Sequence, residues 1–271
     1  MPRIVSGDLL EAVLRRERAV IGVGIGVVVA LSWGYILAGA GTGMSVFASS
    51  PLPFDATEGN GAMSPVAWTL AYAALMGVMW WVMMVAMMLP SAAPMILLFA
   101  LLTRRQRERG AAAVPAGVFA AGYLLAWGGF SVLATGLQWG LARSGALSPT
   151  MAANGAVLGG FLLVAAGVYQ WTPLKHACLK HCRSPVVALS HGFRPGHRGA
   201  LVMGLEQGLY CLGCSWLLMG LLFFGGVMNL YWIVGLALFV LVEKLAPFGH
   251  RTARISGGAL AAAGAAVIAL A

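Results

Sequence analysis

Seven runs of this chain are apolar over about the length of a bilayer crossing, and that limits its fold more than any motif does. They are Ala19–Ala40, Thr69–Leu102, Val114–Trp139, Ala152–Gln170, Ala200–Phe224, Val227–Leu245 and Ile255–Ala271. A helix needs about 20 apolar residues to cross the hydrocarbon core. The expected fold is all-α: a polytopic membrane helix bundle of about seven transmembrane helices. Composition agrees, with 60% hydrophobic and 9% charged residues, where soluble domains carry about 25% charged residues. The second run exceeds one crossing, so Pro90 and Pro94 are expected to kink it, because proline removes a helix hydrogen bond and crowds the preceding turn. The seventh is short.

Charge placement orients these helices. Of the 17 Lys and Arg residues, 15 fall on one side of a seven-span arrangement. They are grouped before the first span (Arg3, Arg15, Arg16, Arg18), after the second (Arg104, Arg105, Arg107, Arg109), between the fourth and fifth, and between the sixth and seventh. The other side holds Arg143, with Asp55 and Glu58 in its longest loop. By the positive-inside rule the N-terminus is cytoplasmic and the C-terminus is outside. Residues 1–18 form a cytoplasmic N-terminal segment, and 19–271 form a single membrane domain with a cytoplasmic Cys/His loop at 172–199. The first span reads as a retained helix and not a cleaved signal. Its Gly22 and Gly26 suit close helix packing. The net charge of +9 needs no nucleic acid as partner; the lipid bilayer suffices.

Sulfur is concentrated in two places. Half of the 14 methionines lie between Met76 and Met95, with Met83, Met84, Met87 and Met88 forming a doubled pair before Pro90. On a helix Met76, Met79, Met83 and Met87 share one face, and Met84, Met88 and Met95 the next stripe, about 100° away. Methionine often fills gaps in packed helices, and thioethers also select Cu(I). Trp80 and Trp81 stand nearby as an apolar wall or interface anchor.

All four cysteines are paired by spacing. Cys211 and Cys214 share one helix face midway along the fifth span, and Met203 and Gln207 extend that face. Cys178 and Cys182, at i, i+4, fall in the predicted cytoplasmic loop, where a reducing environment favours metal or redox work over structural disulfides. Flanking Lys and Arg favour the thiolate. With His191 and His197 this pair also reads as a zinc knuckle, although its middle spacing is short. His176 and His181 flank these cysteines as groups expected to support the ligands rather than bind metal themselves. Glu206, Glu243 and Lys244 lie within spans, where charges are costly and are paired or functional; they form either an interhelical ion pair or a proton or cation relay.

Four segments together carry a resemblance: Met83 to Ser91, Gln170 to Pro185, Gly208 to Met219 and Glu243 to Pro247. They resemble an uncharacterised bacterial family of predicted metal-binding integral membrane proteins, over roughly residues 65–250. The resemblance implies metal binding in a bacterial inner (cytoplasmic) membrane. In that family a third cysteine commonly follows the second pair, where this chain has Ser215.

The function expected from these residues is binding of a soft metal, Cu(I), for membrane copper handling or delivery to a metalloenzyme, with zinc as the alternative metal. Cys178 and Cys182 would exchange metal at the cytoplasmic face. Cys211, Cys214 and Met83, Met84, Met87 and Met88 would hold it in the membrane. Expected partners are subunits of a membrane metalloenzyme or a copper chaperone. Two alternatives remain: a non-catalytic accessory subunit of a larger membrane metalloenzyme complex, and a membrane thiol-disulfide oxidoreductase using Cys211 and Cys214. No hydrolytic triad, phosphate loop or cofactor fingerprint is evident.

Overall fold

The structure is a computed structural model that describes residues 7–42, 68–108, 114–148, 151–184, 189 and 193–271. Asp55, Glu58, Arg109 and His191 lie outside the described residues. Within those residues the chain is helical, apart from connecting turns and an isolated bridge between Leu147 and Ala153. The helices are α1 (Gly7–Leu37), α2 (Leu70–Glu108), α3 (Ala116–Arg143), α4 (Ala156–Tyr169), α5 (Pro173–Arg183), α6 (Gly196–Gly220), α7 (Leu222–Gly225), α8 (Leu230–Leu245) and α9 (Gly249–Ala269).

Each of the seven apolar runs is helical, but they are not seven equal crossings. Among the described residues, five segments are long and apolar enough to cross a membrane: Arg18–Leu37, α2, α3, Gly196–Gly225 and Arg251–Ala269. The short last run is therefore among them. The 14 residues of α4 rise only about 21 Å at 1.5 Å each, less than the roughly 30 Å hydrocarbon core. Helix α5 follows it at a bend of 64°, and the two together make one bent candidate span. The bend is written in Thr172-Pro173. A residue before proline is pushed out of the helical region, and Thr172 is extended, with its hydroxyl accepting from Lys175 N at 3.3 Å. Proline then starts α5 at the position where its missing N–H costs nothing. Helix α8 has 16 residues and stops at Ala246, again just before a proline.

Helix α2 runs unbroken through Pro90 and Pro94, so neither ends it. Ser91 Oγ donates to the Met88 carbonyl at 2.8 Å, just below Pro94. Helices α3 and α6 touch backbone to backbone: a Cβ on Gly204 would strike the Phe119 carbonyl, and one on Gly122 the Leu201 carbonyl. Small residues permit that approach between apolar helices. Helices α4 and α9 pack the same way through Gly167 and Gly264. Helix α1 rests on the bundle through Ile21, Ile25 and Val29. A Cβ on its Gly22 or Gly26 would meet nothing within 4 Å among the described residues, so their expected packing role finds no partner there.

The core is rich in sulfur and aromatic rings, with Trp80, Trp127, Tyr123, Phe99 and Phe119 fully buried beside the α2 methionines. The outside is also apolar. Leu31, Val132 and Leu133 are each about 70% exposed.

Candidate metal centre

Because α5 is a helix, the i, i+4 spacing does put Cys178 and Cys182 on one face, and that face is turned onto α6. Cys178 Sγ lies over Gly213, so close that a Cβ there would come within 2.7 Å of it. Cys178, Leu179 and Cys214 form one buried cluster, with Cys182 packed against it. Cys214 Sγ donates to the Cys211 carbonyl at 3.1 Å. Around them the Tyr169 hydroxyl donates to the Gly213 carbonyl, and His181 stacks on Tyr210 at 3.8 Å. Within the segment 172–199, expected as a loop, Pro173–Arg183 is helical. That helix brings the first cysteine pair against the second, and all four cysteines are free thiols.

Helix α8 delivers Lys244 to the same place. Its ammonium sits 2.7 Å from Cys211 Sγ, 3.4 Å from Ser91 Oγ and 3.9 Å from Met88 Sδ. The Tyr123 hydroxyl is 2.9 Å from Cys211 Sγ and also donates to the Met88 carbonyl at 3.3 Å. An ammonium has three donors and no acceptor, so Cys211 accepts from it. Lys244, at 7% exposure, thus lies where a thiol from α6 and a thioether from α2 meet.

The other charges sort separately. Lys175 and Glu243, 0% and 3% exposed, are paired at 2.6 Å. Arg183 donates to the carbonyls of Glu243, Ala246 and Pro247. Glu206 pairs with Arg194 at 2.8 Å on a half-exposed surface, away from Glu243 and Lys244. Glu206, Glu243 and Lys244 therefore join three different partners, with no close ion pair among them. His176 is half-buried on α5.

A cavity of about 170 Å³ opens beside the thiols. Ser91, Tyr123, Cys182, Arg183, Gln207, Cys211 and Lys244 line it, with Met95 among its apolar walls. Met83, Met84, Met87 and Met88 are all at most 1% exposed. Met88 is the one whose sulfur the described contacts bring to Lys244. Met203 Sδ accepts from Arg194 N instead.

Among the described residues, no three His, Cys, Asp or Glu side chains are already arranged to hold a metal ion. Structural zinc takes four ligands, and His197 is poorly placed to supply one. It is exposed at the start of α6, 17 residues or about 25 Å of helix from Cys214, whose cluster Cys182 packs against. The set at hand is thiol and thioether, the donors that select Cu(I). Tyr123, Ser91, Arg183 and the Lys175 partner of Glu243 were not found from sequence. Only the basic residues carried a signal, through their position beside the first cysteine pair.

A family model described as PpoB2, copper chaperone, matches residues 77–267. The chain belongs to this family. The PpoB2 match takes in all four cysteines, Met83 to Met88, Tyr123 and Lys244, and it agrees with the expectation of a copper-related family. No curated protein and no solved structure matches the chain.

Proposed function

We propose that this protein is an integral membrane copper carrier of the bacterial inner membrane. It holds Cu(I) on Cys182, Cys211 and Cys214, with Cys178 and Met88 beside them, and hands it to a metalloenzyme. The observation that carries this reading is that one cysteine of each pair, Cys182 and Cys211, lines one cavity with Lys244, with Cys178 and Cys214 packed against Cys182 and Met88 Sδ beside Lys244. Membership of a copper-chaperone family supports the metal. The apolar exterior and the one-sided placement of basic residues support a lipid-embedded chain with its N-terminus inside. Copper is the cargo here, so the protein needs soft ligands and a path for ligand exchange, both of which the cavity offers.

Purified protein titrated anaerobically with Cu(I) against a chromophoric chelator tests the reading. Tight binding that Cys211→Ser with Cys214→Ser abolishes is the expected result. Retention of copper by that variant would overturn it. The packing of Cys182 on the cluster that holds Cys214 favours one other reading, thiol–disulfide exchange between the two. That reading requires the pair to oxidise and be reduced in turnover with a thiol substrate in the absence of copper.

A further inference from the structure

The cavity beside the thiols has an unexpected sign. Three cations, Lys175, Arg183 and Lys244, surround one carboxylate, Glu243. Glu243 is 2.6 Å from Lys175. Among the described residues neither Arg183 nor Lys244 has a carboxylate within ion-pairing distance. Arg183 spends its donors on neutral carbonyls, and the one carboxylate near it, Glu243, is already paired with Lys175, so the three cations outnumber their shared anion. Lys244 spends one on Cys211. Both cations line the cavity with the Cys182 and Cys211 thiols. A bare monovalent metal ion approaching this space meets two like charges in surroundings where Coulomb forces are stronger than in water. An anion is drawn in.

We propose that copper enters this cavity as an anionic Cu(I)–thiolate complex of a small thiol, attracted by Arg183 and Lys244, and that Cys211 and Cys182 replace its ligands. The inference rests on the copper-carrier reading and names the form of its cargo. The exchange balances without an oxidant. A complex RS–Cu–SR⁻ and one cysteine thiol give RS–Cu–S–Cys⁻ and RSH, the departing thiolate taking the cysteine proton. A second exchange gives Cys–S–Cu–S–Cys⁻ and another RSH. Copper stays Cu(I) throughout, and the product keeps one negative charge. Lys244, already bonded to Cys211, and Arg183 then serve as its counter-ions. Size agrees. An apolar cavity of about 150 Å³ holds benzene, so the roughly 170 Å³ here takes a metal ion with a small thiolate and excludes a folded donor protein from the thiols.

The test compares two Cu(I) donors of opposite charge, under anaerobic conditions, on the full chain in detergent. One is the bis-thiolate complex of 2-mercaptoethanol, an anion. The other is the acetonitrile complex, a cation. The wild type is expected to load faster from the thiolate donor, with a rate that falls as salt rises. Arg183→Gln should slow that donor by at least about tenfold, the lower end of electrostatic steering, and slow loading from the cationic donor far less. Arg183→Lys, which keeps the charge but loses the planar fork, should restore most of the thiolate rate. The inference is overturned if Arg183→Gln loads from the thiolate as fast as the wild type does. Equal slowing with both donors also overturns it, since that marks a structural role for Arg183 at the end of α8. If neither donor leaves copper on the wild type, the carrier reading itself fails.

Discussion

Lys175 and Glu243 show how single residues shape the site. Each is buried, and each is tolerable only because the other is there. Removing one partner of a buried ion pair costs about 3–5 kcal/mol, whereas replacing both by apolar groups of similar size is often neutral. Lys175→Met should therefore lower the melting temperature in detergent sharply, and Lys175→Met with Glu243→Met should recover most of the loss. A relay role predicts instead that the double variant melts normally but loses copper transfer, so both readouts are taken together. Gly213 is the second such residue. Any Cβ there meets Cys178 Sγ, so Gly213→Ala should shift that side chain and weaken copper binding while leaving the apolar core intact. Among the methionines, Met88 alone is expected to matter for copper. Leucine for methionine costs less than about 1.5 kcal/mol in a packed core. The triple change Met83→Leu, Met84→Leu and Met87→Leu should keep both fold and copper affinity. Met88→Leu should keep the fold and weaken binding. Equal copper affinity in all four changes would assign the whole cluster to packing.

At the scale of elements, α5 matters most. The i, i+4 spacing of its cysteines was in view, but the segment was expected as a loop, and it is a helix. Its docking was not legible, because Lys175, Lys180, His181 and Arg183 give it the look of a solvated loop between two spans. In the fold Lys175 is met by Glu243, Arg183 by the carbonyls at the end of α8 and His181 by the Tyr210 ring, while Lys180 stays exposed. Contacts of that kind join distant parts of the chain, as Lys244 and Met88 do across 156 residues, and local spacing carries no trace of them. The docking makes its own prediction. In a Cys178→Ser, Cys211→Ser background, mild oxidation should join Cys182 to Cys214, as read by peptide mapping without reductant. Two free thiols after oxidation would mean that α5 does not lie on α6.

For the whole molecule, the apolar runs and their helices were visible from hydropathy alone, because a chain that is apolar outside as well as inside has few other solutions. Their inequality was not: α4 and α8 are apolar enough but end early at prolines whose effect on length is hard to weigh in a window average. The basic asymmetry predicts that reporter fusions after Ala271 and at Ser184 lie on opposite sides of the membrane. The same side for both would require a different number of crossings.

The central claim is that the two cysteine pairs, 178/182 and 211/214, make one copper site. Copper retained per chain by the two double cysteine-to-serine variants tests it most directly. With one shared site, either variant loses the tightly bound copper altogether. If each variant keeps about half of the wild-type copper, the pairs are separate sites and the account is contradicted.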